Sequence, residues 1–311
     1  MEKPRISLVL VLLFLVPMAC AQTASVDDDH DGMADALEAA LLEQFRPSFM
    51  ISKDECDVLP AEIASGEAVP RVLARNGRIY GQATPHAEGG VELHYFHLWS
   101  RDCGRHGHPR DVEHVSALIA RQKDGSWQAQ YWYAAAHEQT VCERSMFANA
   151  AELRALHKGP AVWISAGKHA SYFSAELCNG GCGGDSCRAA RSAPVLPVIN
   201  LGEPRAPLSG AVWTNSSSSV WPLAAKMSSD FDQSVMAQLQ TIPAAGPVRI
   251  SSSTPGMQRT IAVSNTTFGS LELAQGQTDN GLETAKRKTR NALQRSYRAV
   301  KAWMSRNFDS H

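Results

Sequence analysis

Three runs of residues, 91–99, 112–120 and 127–135, are so dense in Val, Ile, Tyr and Trp that they commit the middle of this chain to β-structure. Lys123, Asp124 and Gly125 separate the last two runs and read as a hairpin turn. Further strands are expected at 161–165, 195–199, 248–251 and 260–263, spaced by connections rich in Gly, Pro, Asn and Ser. The predicted class is mainly β, with a β-sandwich-like core, peripheral helices and a C-terminal amphipathic helix. Residues 34–45 are rich in Ala, Leu and Glu and are stopped by Pro47, which predicts a short helix. A second helix is expected at 148–157. A third falls within 221–239, where Met227, Phe231, Val235 and Leu239 recur at helical spacing.

The ends of the chain carry the charge asymmetry. Lys3 and Arg5 precede an apolar run over 6–16 that is too short to span a bilayer, and Ala19, Cys20 and Ala21 surround an Ala-x-Ala cleavage site. This predicts a signal peptide over 1–21 and a mature chain beginning near Gln22. Pro17 stands where a lipobox carries Leu, so soluble export to the periplasm or medium is preferred over lipoprotein anchoring at Cys20. At the other end, residues 283–308 predict an amphipathic helix. Leu293, Tyr297, Val300 and Met304 form one face, and Lys286, Arg287, Lys288, Arg290, Arg295, Arg298 and Lys301 spread elsewhere. Such a helix either packs on the body or touches anionic membrane or envelope polymer. The formal net charge of −1 provides no broad basic field, and no nucleic-acid partner is expected. The resulting plan is a signal at 1–21, a loop and helix at 22–46, one β-rich domain at 47–270 and the basic helix at 271–311.

Six cysteines remain after the signal: Cys56, Cys103, Cys142, Cys178, Cys182 and Cys187. An even set in an exported chain predicts three disulfides. Their pairing stays open, although Cys178, Cys182 and Cys187 cannot all pair among themselves. A zinc cluster of those three is the rival reading, disfavoured because exported thiols oxidise first.

The strongest local motif opens the mature chain. Asp27, Asp29 and Asp31 alternate, Gly32 follows, and Asp35 and Glu38 complete D-x-D-x-D-G-x-x-D-x-x-E. A hard divalent cation takes six to eight oxygens, and this spacing supplies them to calcium. The three alternating carboxylates converge, Gly32 permits the sharp turn, and Met33 lends its carbonyl. Asp35 acts through water and Glu38 closes the cage. Few residues precede Asp27 after cleavage, so a weak structural site is expected rather than one of a pair of sensor hands.

A second polar cluster spans 102–114. Asp111 and Glu113 are two apart on a predicted strand and so share a face, and His108 approaches from the preceding turn. His137 ends the partner strand of the hairpin and His169 follows another. Together His108, Asp111, Glu113, His137 and His169 predict a second divalent metal site at one sheet edge. The competing reading is a hydrogen-bonded network beneath a loop.

The H-x-x-D-x-E of His108, Asp111 and Glu113, with Ala136-His137 and the run from Gly167 to Tyr172, resembles bacterial proteins related to the vacuolar protein sorting-associated protein 62 family. Leu42 to Pro47 and Asn200 to Glu203 share that resemblance, which covers roughly 41–203. The same cluster is more distantly similar to the necrosis- and ethylene-inducing-like proteins, whose signature contains H-R-H-D-W-E. That similarity implies a β-sandwich and a metal at His108, Asp111 and Glu113. Arg110 replaces the second His of the signature and Val112 its Trp, so fold transfers better than cytolytic activity.

Three weaker signals complete the reading. Ser165-Ala166-Gly167-Lys168 matches the S-x-x-K of serine acyl enzymes but follows a strand, where that motif does not belong. The glycine-rich 180–184 lacks the ending that cradles phosphate and reads as a disulfide-pinned loop. Trp99, Trp127, Trp132 and Trp163 are candidates for a sugar-binding surface or, as is commoner on strands, for the core. The leading expectation is an exported calcium-binding protein that acts by binding a ligand the sequence does not identify. Its rivals are a metal-dependent hydrolase, with a cation on His108, Asp111 and Glu113 and proton transfer by His137 or His169, and a toxin-like membrane-active protein.

Overall fold

The computed structural model describes residues 26–27, 29–63, 71–87, 89–104, 107–138, 140, 142–201, 226–240, 248–251 and 260–262. The predicted signal peptide, His106, Gly202, Glu203 and the predicted helix at 283–308 lie outside the described residues.

Antiparallel hairpins dominate. Strands β4 (Ile79–Pro85), β5 (Val91–Arg101), β6 (Pro109–Arg121) and β7 (Trp127–Ala134) pair in sequence order. The turn at Lys123 to Gly125 forms as predicted: Gln122 N donates to Ser126 O at 2.7 Å, and Gly125 takes the left-handed φ of 87° that glycine tolerates. Strands β8 (Met146–Asn149), β12 (Val198–Asn200), β13 (Val248–Ser251) and β14 (Thr260–Ala262) extend this sheet to eight strands, in the order β12-β4-β5-β6-β7-β8-β13-β14. A four-stranded sheet, β10-β9-β1-β11, packs against it, built from β1 (Ser48–Ser52), β9 (Ala161–Ile164), β10 (Ser171–Tyr172) and β11 (Ala190–Ser192). The short β2 (Glu62–Ile63) and β3 (Val72–Ala74) pair separately.

The main core lies between the two large sheets. Leu93, Tyr95 and Trp99 of β5 and Val115, Ala117 and Ile119 of β6 meet Phe49, Val162, Ile164 and Tyr172 of the smaller sheet. Directly paired residues share a face, so the intervening positions of β5 and β6 point the other way. They are buried too, because residues 226–240 cover that face: Phe231, Val235, Met236 and Leu239 join Leu118, Tyr133 and Phe147. Burial on both faces is why β5 and β6 read as dense apolar runs and not as clean alternation.

Helix α1 (Asp35–Gln44) closes one side. Its Leu41, Leu42 and Phe45 enter the main core, and Tyr95 Oη donates to Leu42 O at 3.1 Å, satisfying a carbonyl of the last turn. The helix sits so close to β4 that a Cβ on Gly81 would lie 2.8 Å from Leu42 Cδ1 and 2.7 Å from Val198 Cγ1.

Two predicted helices change. Residues 148–157 do not form one: Met146–Asn149 is a strand paired with β7, and Asn149 Oδ1 accepts from Ala151 N at 2.9 Å in a turn that Arg154, at φ 54°, continues. Sheet pairing overrides the helix propensity of the alanines. Within 226–240 the helix is confined to α3 (Gln233–Leu239), capped by Asp232, whose Oδ1 accepts from Val235 N at 2.9 Å. A short helix α2 (Ala175–Asn179) precedes the 3₁₀ turn at Cys182–Gly184. The strand expected at 195–199 begins only at Val198.

Three disulfides form, as predicted: Cys56–Cys103, Cys142–Cys182 and Cys178–Cys187. Cys182 is the cysteine of its cluster that reaches outward. The first two bridges close loops of 47 and 40 residues and the third a loop of 9. Chain entropy then assigns about 4 kcal/mol to each long bridge and about 2.5 kcal/mol to the short one. Paired Cys→Ser replacement at Cys56 and Cys103 is therefore expected to lower the denaturant midpoint more than replacement at Cys178 and Cys187; equal losses would show that native-state packing, not loop closure, sets the effect.

Candidate metal centre

The acidic loop at the start of the described chain folds back on itself. Gly32 N donates to Asp27 Oδ2 at 3.2 Å, Met33 N to Asp31 Oδ1 at 2.7 Å and Asp31 N to Asp29 Oδ1 at 3.3 Å. Gly32, with φ of 95°, makes the reversal. One carboxylate oxygen from each of Asp27, Asp29 and Asp31 falls within 4.8 Å of the other two. Met33 is buried in the main core and anchors the loop to the sandwich, and Asp35 N donates to Val26 O at 2.9 Å at the mouth of α1.

Glu38, on α1, is 1% exposed. Asn200 Nδ2 donates to its Oε2 at 2.6 Å, while its Oε1 is buried without a protein donor. Asp27 Oδ1 and Asp31 Oδ2 are likewise buried and without a donor. Burial, reinforced by the charges of Asp29, Asp31 and Asp35, pushes the Glu38 carboxyl up to about 7. Carboxylate oxygens removed from water without donors are costly, and a hard cation is the partner that relieves them.

The second predicted cluster is divided among several partners. Asp111 and His169 meet: His169 Nδ1 lies 2.8 Å from Asp111 Oδ2, and its Nε2 lies 3.2 Å from Glu55 Oε1. The imidazole is wholly buried and stacks on Trp99 at 4.1 Å between centroids. Its backbone is in the left-handed region, at φ 58°. Burial alone would lower His169, but Asp111 and Glu55 outweigh it and raise the group to about 9. The result is an imidazolium clamped by two carboxylates. Glu55, Cys56 and His169 also place donor atoms within 4.8 Å of one another, but Cys56 is committed to its disulfide with Cys103 and has no thiolate to offer.

The other three residues sit elsewhere. His108 is exposed, with Nδ1 2.9 Å from Arg110 O and Nε2 3.9 Å from Asp102. Glu113 is buried and pushed up to about 8 by that burial; Lys226 Nζ lies 3.4 Å from it and 2.8 Å from Glu138. His137 Nε2 is 2.8 Å from Asp185 Oδ2, an oxygen that also accepts from Tyr172 Oη at 2.5 Å. Lys226, Glu138, Glu55 and Asp185 were not singled out from sequence, because their relevance depends on contacts spanning tens of residues.

Ser165 and Lys168 of the S-x-x-K motif do not form a nucleophilic pair. Ser165 is buried and donates to Asp185 Oδ1 at 2.9 Å, and Lys168 Nζ donates to the carbonyls of Cys182 and Gly183. No hydrogen bond joins Lys168 Nζ to Ser165 Oγ, the contact a lysine base of that motif would need. Trp99 and Trp132 are fully buried and belong to the interior, whereas Trp127 and Trp163 are half-buried and pack against the main core with one part at the surface.

No family model and no curated protein matches this chain. The resemblance to the vacuolar protein sorting-associated protein 62 family is therefore without support. Solved structures with a similar arrangement are necrosis- and ethylene-inducing-like proteins. The non-toxic HaNLP3 protein is 11% identical over 66% of this chain and 90% of its own, with a TM-score of 0.41. Necrosis and ethylene inducing protein 2 from the causal agent of cocoa's witches' broom disease is 16% identical over 57% and 80%, with a TM-score of 0.36. NLPPya in complex with mannosamine is 14% identical over 65% and 88%, with a TM-score of 0.39. At these values no residue role passes from those proteins to this chain.

The His169 clamp carries a pH signature. Its folded pKa of about 9 exceeds the ordinary 6.5, so the clamp's contribution, roughly 3 kcal/mol, is fully present below about pH 6.5 and is lost as pH rises through about 9. Urea midpoints are expected to fall between pH 6.5 and 9.5 in the wild type and much less in His169→Gln. Parallel slopes for the two proteins would mean that His169 is neutral in the fold.

Proposed function

We propose that this chain is an exported, disulfide-bonded calcium-binding protein that acts by binding and not by catalysis. The observation that carries the reading is the set of three buried carboxylate oxygens, Asp27 Oδ1, Asp31 Oδ2 and Glu38 Oε1, without donors around one acidic turn. Calcium would be held by Asp27, Asp29 and Asp31, the Met33 carbonyl and Glu38, with Asp35 acting through water. Its effect would be to fasten the N-terminal turn to α1, and through Asn200 to β12. Export fits the three disulfides, which persist in oxidising compartments.

Binding is preferred over the hydrolase reading on the state of the histidines. Both nitrogens of His169 face carboxylates, His137 is held by Asp185, and His108 lies apart from Glu113. A proton-transferring base needs a nitrogen open to the reacting group.

Calorimetric titration of the mature protein with calcium is expected to give one site with Kd on the order of 10⁻⁴ to 10⁻³ M. At ten times Kd the ion would stabilise the fold by about 1.4 kcal/mol. Asp29→Ala and Glu38→Gln are each expected to remove both the heat and the stabilisation. Calcium binding that survives both substitutions would falsify the assignment.

A further inference from the structure

A second buried polar group lies on the outer face of the large sheet, away from the acidic loop. His94 of β5 and His114 of β6 stand on the face opposite Tyr95 and Val115: His94 pairs with Ser116 and His114 with Phe96 across the ladder. Asp230 reaches them from the segment that leads into α3. All three side chains are about 1% exposed, and each offers a donor atom within 4.8 Å of the others.

The shared atom is Asp230 Oδ2. It lies 2.9 Å from His114 Nε2 and 3.8 Å from His94 Nδ1. Ligands on a tetrahedral ion with bonds of about 2.0 Å stand about 3.3 Å apart, and the two separations bracket that edge. His94 Nδ1 is buried and makes no hydrogen bond of its own. It faces the carboxylate from just beyond bonding distance, leaving room that a direct contact would have closed.

The surroundings supply what an imidazole–metal bond needs behind it. Glu92 Oε1 lies 2.9 Å from His94 Nε2. The same carboxylate accepts from Asp230 N at 2.7 Å and from Ser229 Oγ at 2.6 Å, so it is held as an acceptor. This keeps a proton on His94 Nε2, so that Nδ1, the nitrogen facing Asp230, is the one a metal would take on displacing any proton there. On the other imidazole, His114 Nδ1 is buried, makes no hydrogen bond and lies 3.7 Å from Glu138 Oε2. With the His114 proton on Nδ1 instead of Nε2, Nε2 is free for a metal and the N–H faces the Glu138 carboxylate on the far side. Ser116 Oγ donates to Asp230 Oδ2 at 2.6 Å and holds the carboxylate in place.

From this geometry we infer that His94, His114 and Asp230 form a structural site for a divalent transition ion of the zinc class, distinct from the calcium loop. Two imidazole nitrogens and one carboxylate suit zinc and not calcium, which prefers an all-oxygen shell. Three protein ligands leave a fourth position, to be filled by a water or hydroxide, and complete burial shuts it off from substrate, so the ion's role is structural. Its ligands come from β5, β6 and the segment before α3, so the ion ties that covering segment to the sheet. The alternative occupant is no metal at all, with a proton shared among the same groups as a hydrogen-bonded network.

The test uses tag-free mature protein equilibrated with zinc sulfate in the presence of calcium, then measured by elemental mass spectrometry. One zinc per chain is expected in the wild type and in Asp29→Ala, and none in His94→Gln or Asp230→Asn. Cobalt in place of zinc is expected to give the intense visible bands of four-coordinate geometry, absent in those two variants. Should either variant fail to fold, wild-type hydrogen exchange decides alone. Zinc at 100 times its Kd is expected to slow exchange by about 100-fold across 226–240 and the facing parts of β5 and β6. Absence of bound zinc, cobalt bands that persist in Asp230→Asn, or protection confined to other regions each overturns the site.

Discussion

Burial of the two central strands on both faces is the constraint from which the rest of this structure follows. One face of β5 and β6 meets the four-stranded sheet and the other meets residues 226–240. Away from their ends, polar side chains on these strands are therefore largely removed from water, and such a group must find a partner within the protein. Seven such groups, Glu92, His94, His97, Asp111, Glu113, His114 and Ser116, lie on two adjacent strands. Six of them acquire a partner from a distant segment: Ser229 and Asp230 for Glu92, Ser171 for His97, His169 for Asp111, Lys226 for Glu113 and Asp230 for His114 and Ser116, while His94 bonds Glu92 on its own strand. The sandwich is held by this polar cross-bracing as well as by its apolar core.

The same principle separates neighbouring histidines by charge. His97 accepts from Trp99 Nε1 at 2.8 Å and faces the hydroxyl of Ser171, with no carboxylate in contact; burial holds it well below its ordinary value and it stays neutral. His169, stacked on the face of the Trp99 ring whose edge meets His97, is gripped by two carboxylates and is charged. Residue type alone does not distinguish them. Partner chemistry does: Trp99 of β5 and Ser171 of β10 meet His97, whereas Asp111 of β6 and Glu55 of the β1–β2 connection meet His169.

Much of the fold was legible from local signals. The hairpins of β5, β6 and β7, helix α1 and the acidic turn at Gly32 all arise from residues close in sequence, where period, turn chemistry and spacing act directly. The helix predicted at 148–157 failed because a free strand edge on β7 was available to Met146–Asn149, and that edge is created elsewhere in the chain. The five-residue cluster expected at one sheet edge yielded a single direct contact, Asp111 with His169. The register between strands allowed the convergence, but loop geometry sent His108, Glu113 and His137 to other partners. Glu92 and His94 do carry a sequence signal, polar residues at alternate positions of an apolar strand, yet it becomes meaningful only when His114, Ser116 and Asp230 are placed opposite them.

By itself the sequence determined the β class, an even set of cysteines for an oxidising compartment, and the oxygen donors of the acidic turn. Those properties depend on composition and on spacings of a few residues, which the backbone converts directly into geometry. Only the tertiary structure decided which cysteines pair, which histidines are charged, that Trp99 and Trp132 lie inside, and that Asp230 completes a group begun on β5 and β6. Such outcomes join segments separated by tens to more than a hundred residues. Their energies come from desolvation, which has no value until packing has determined which groups lose water.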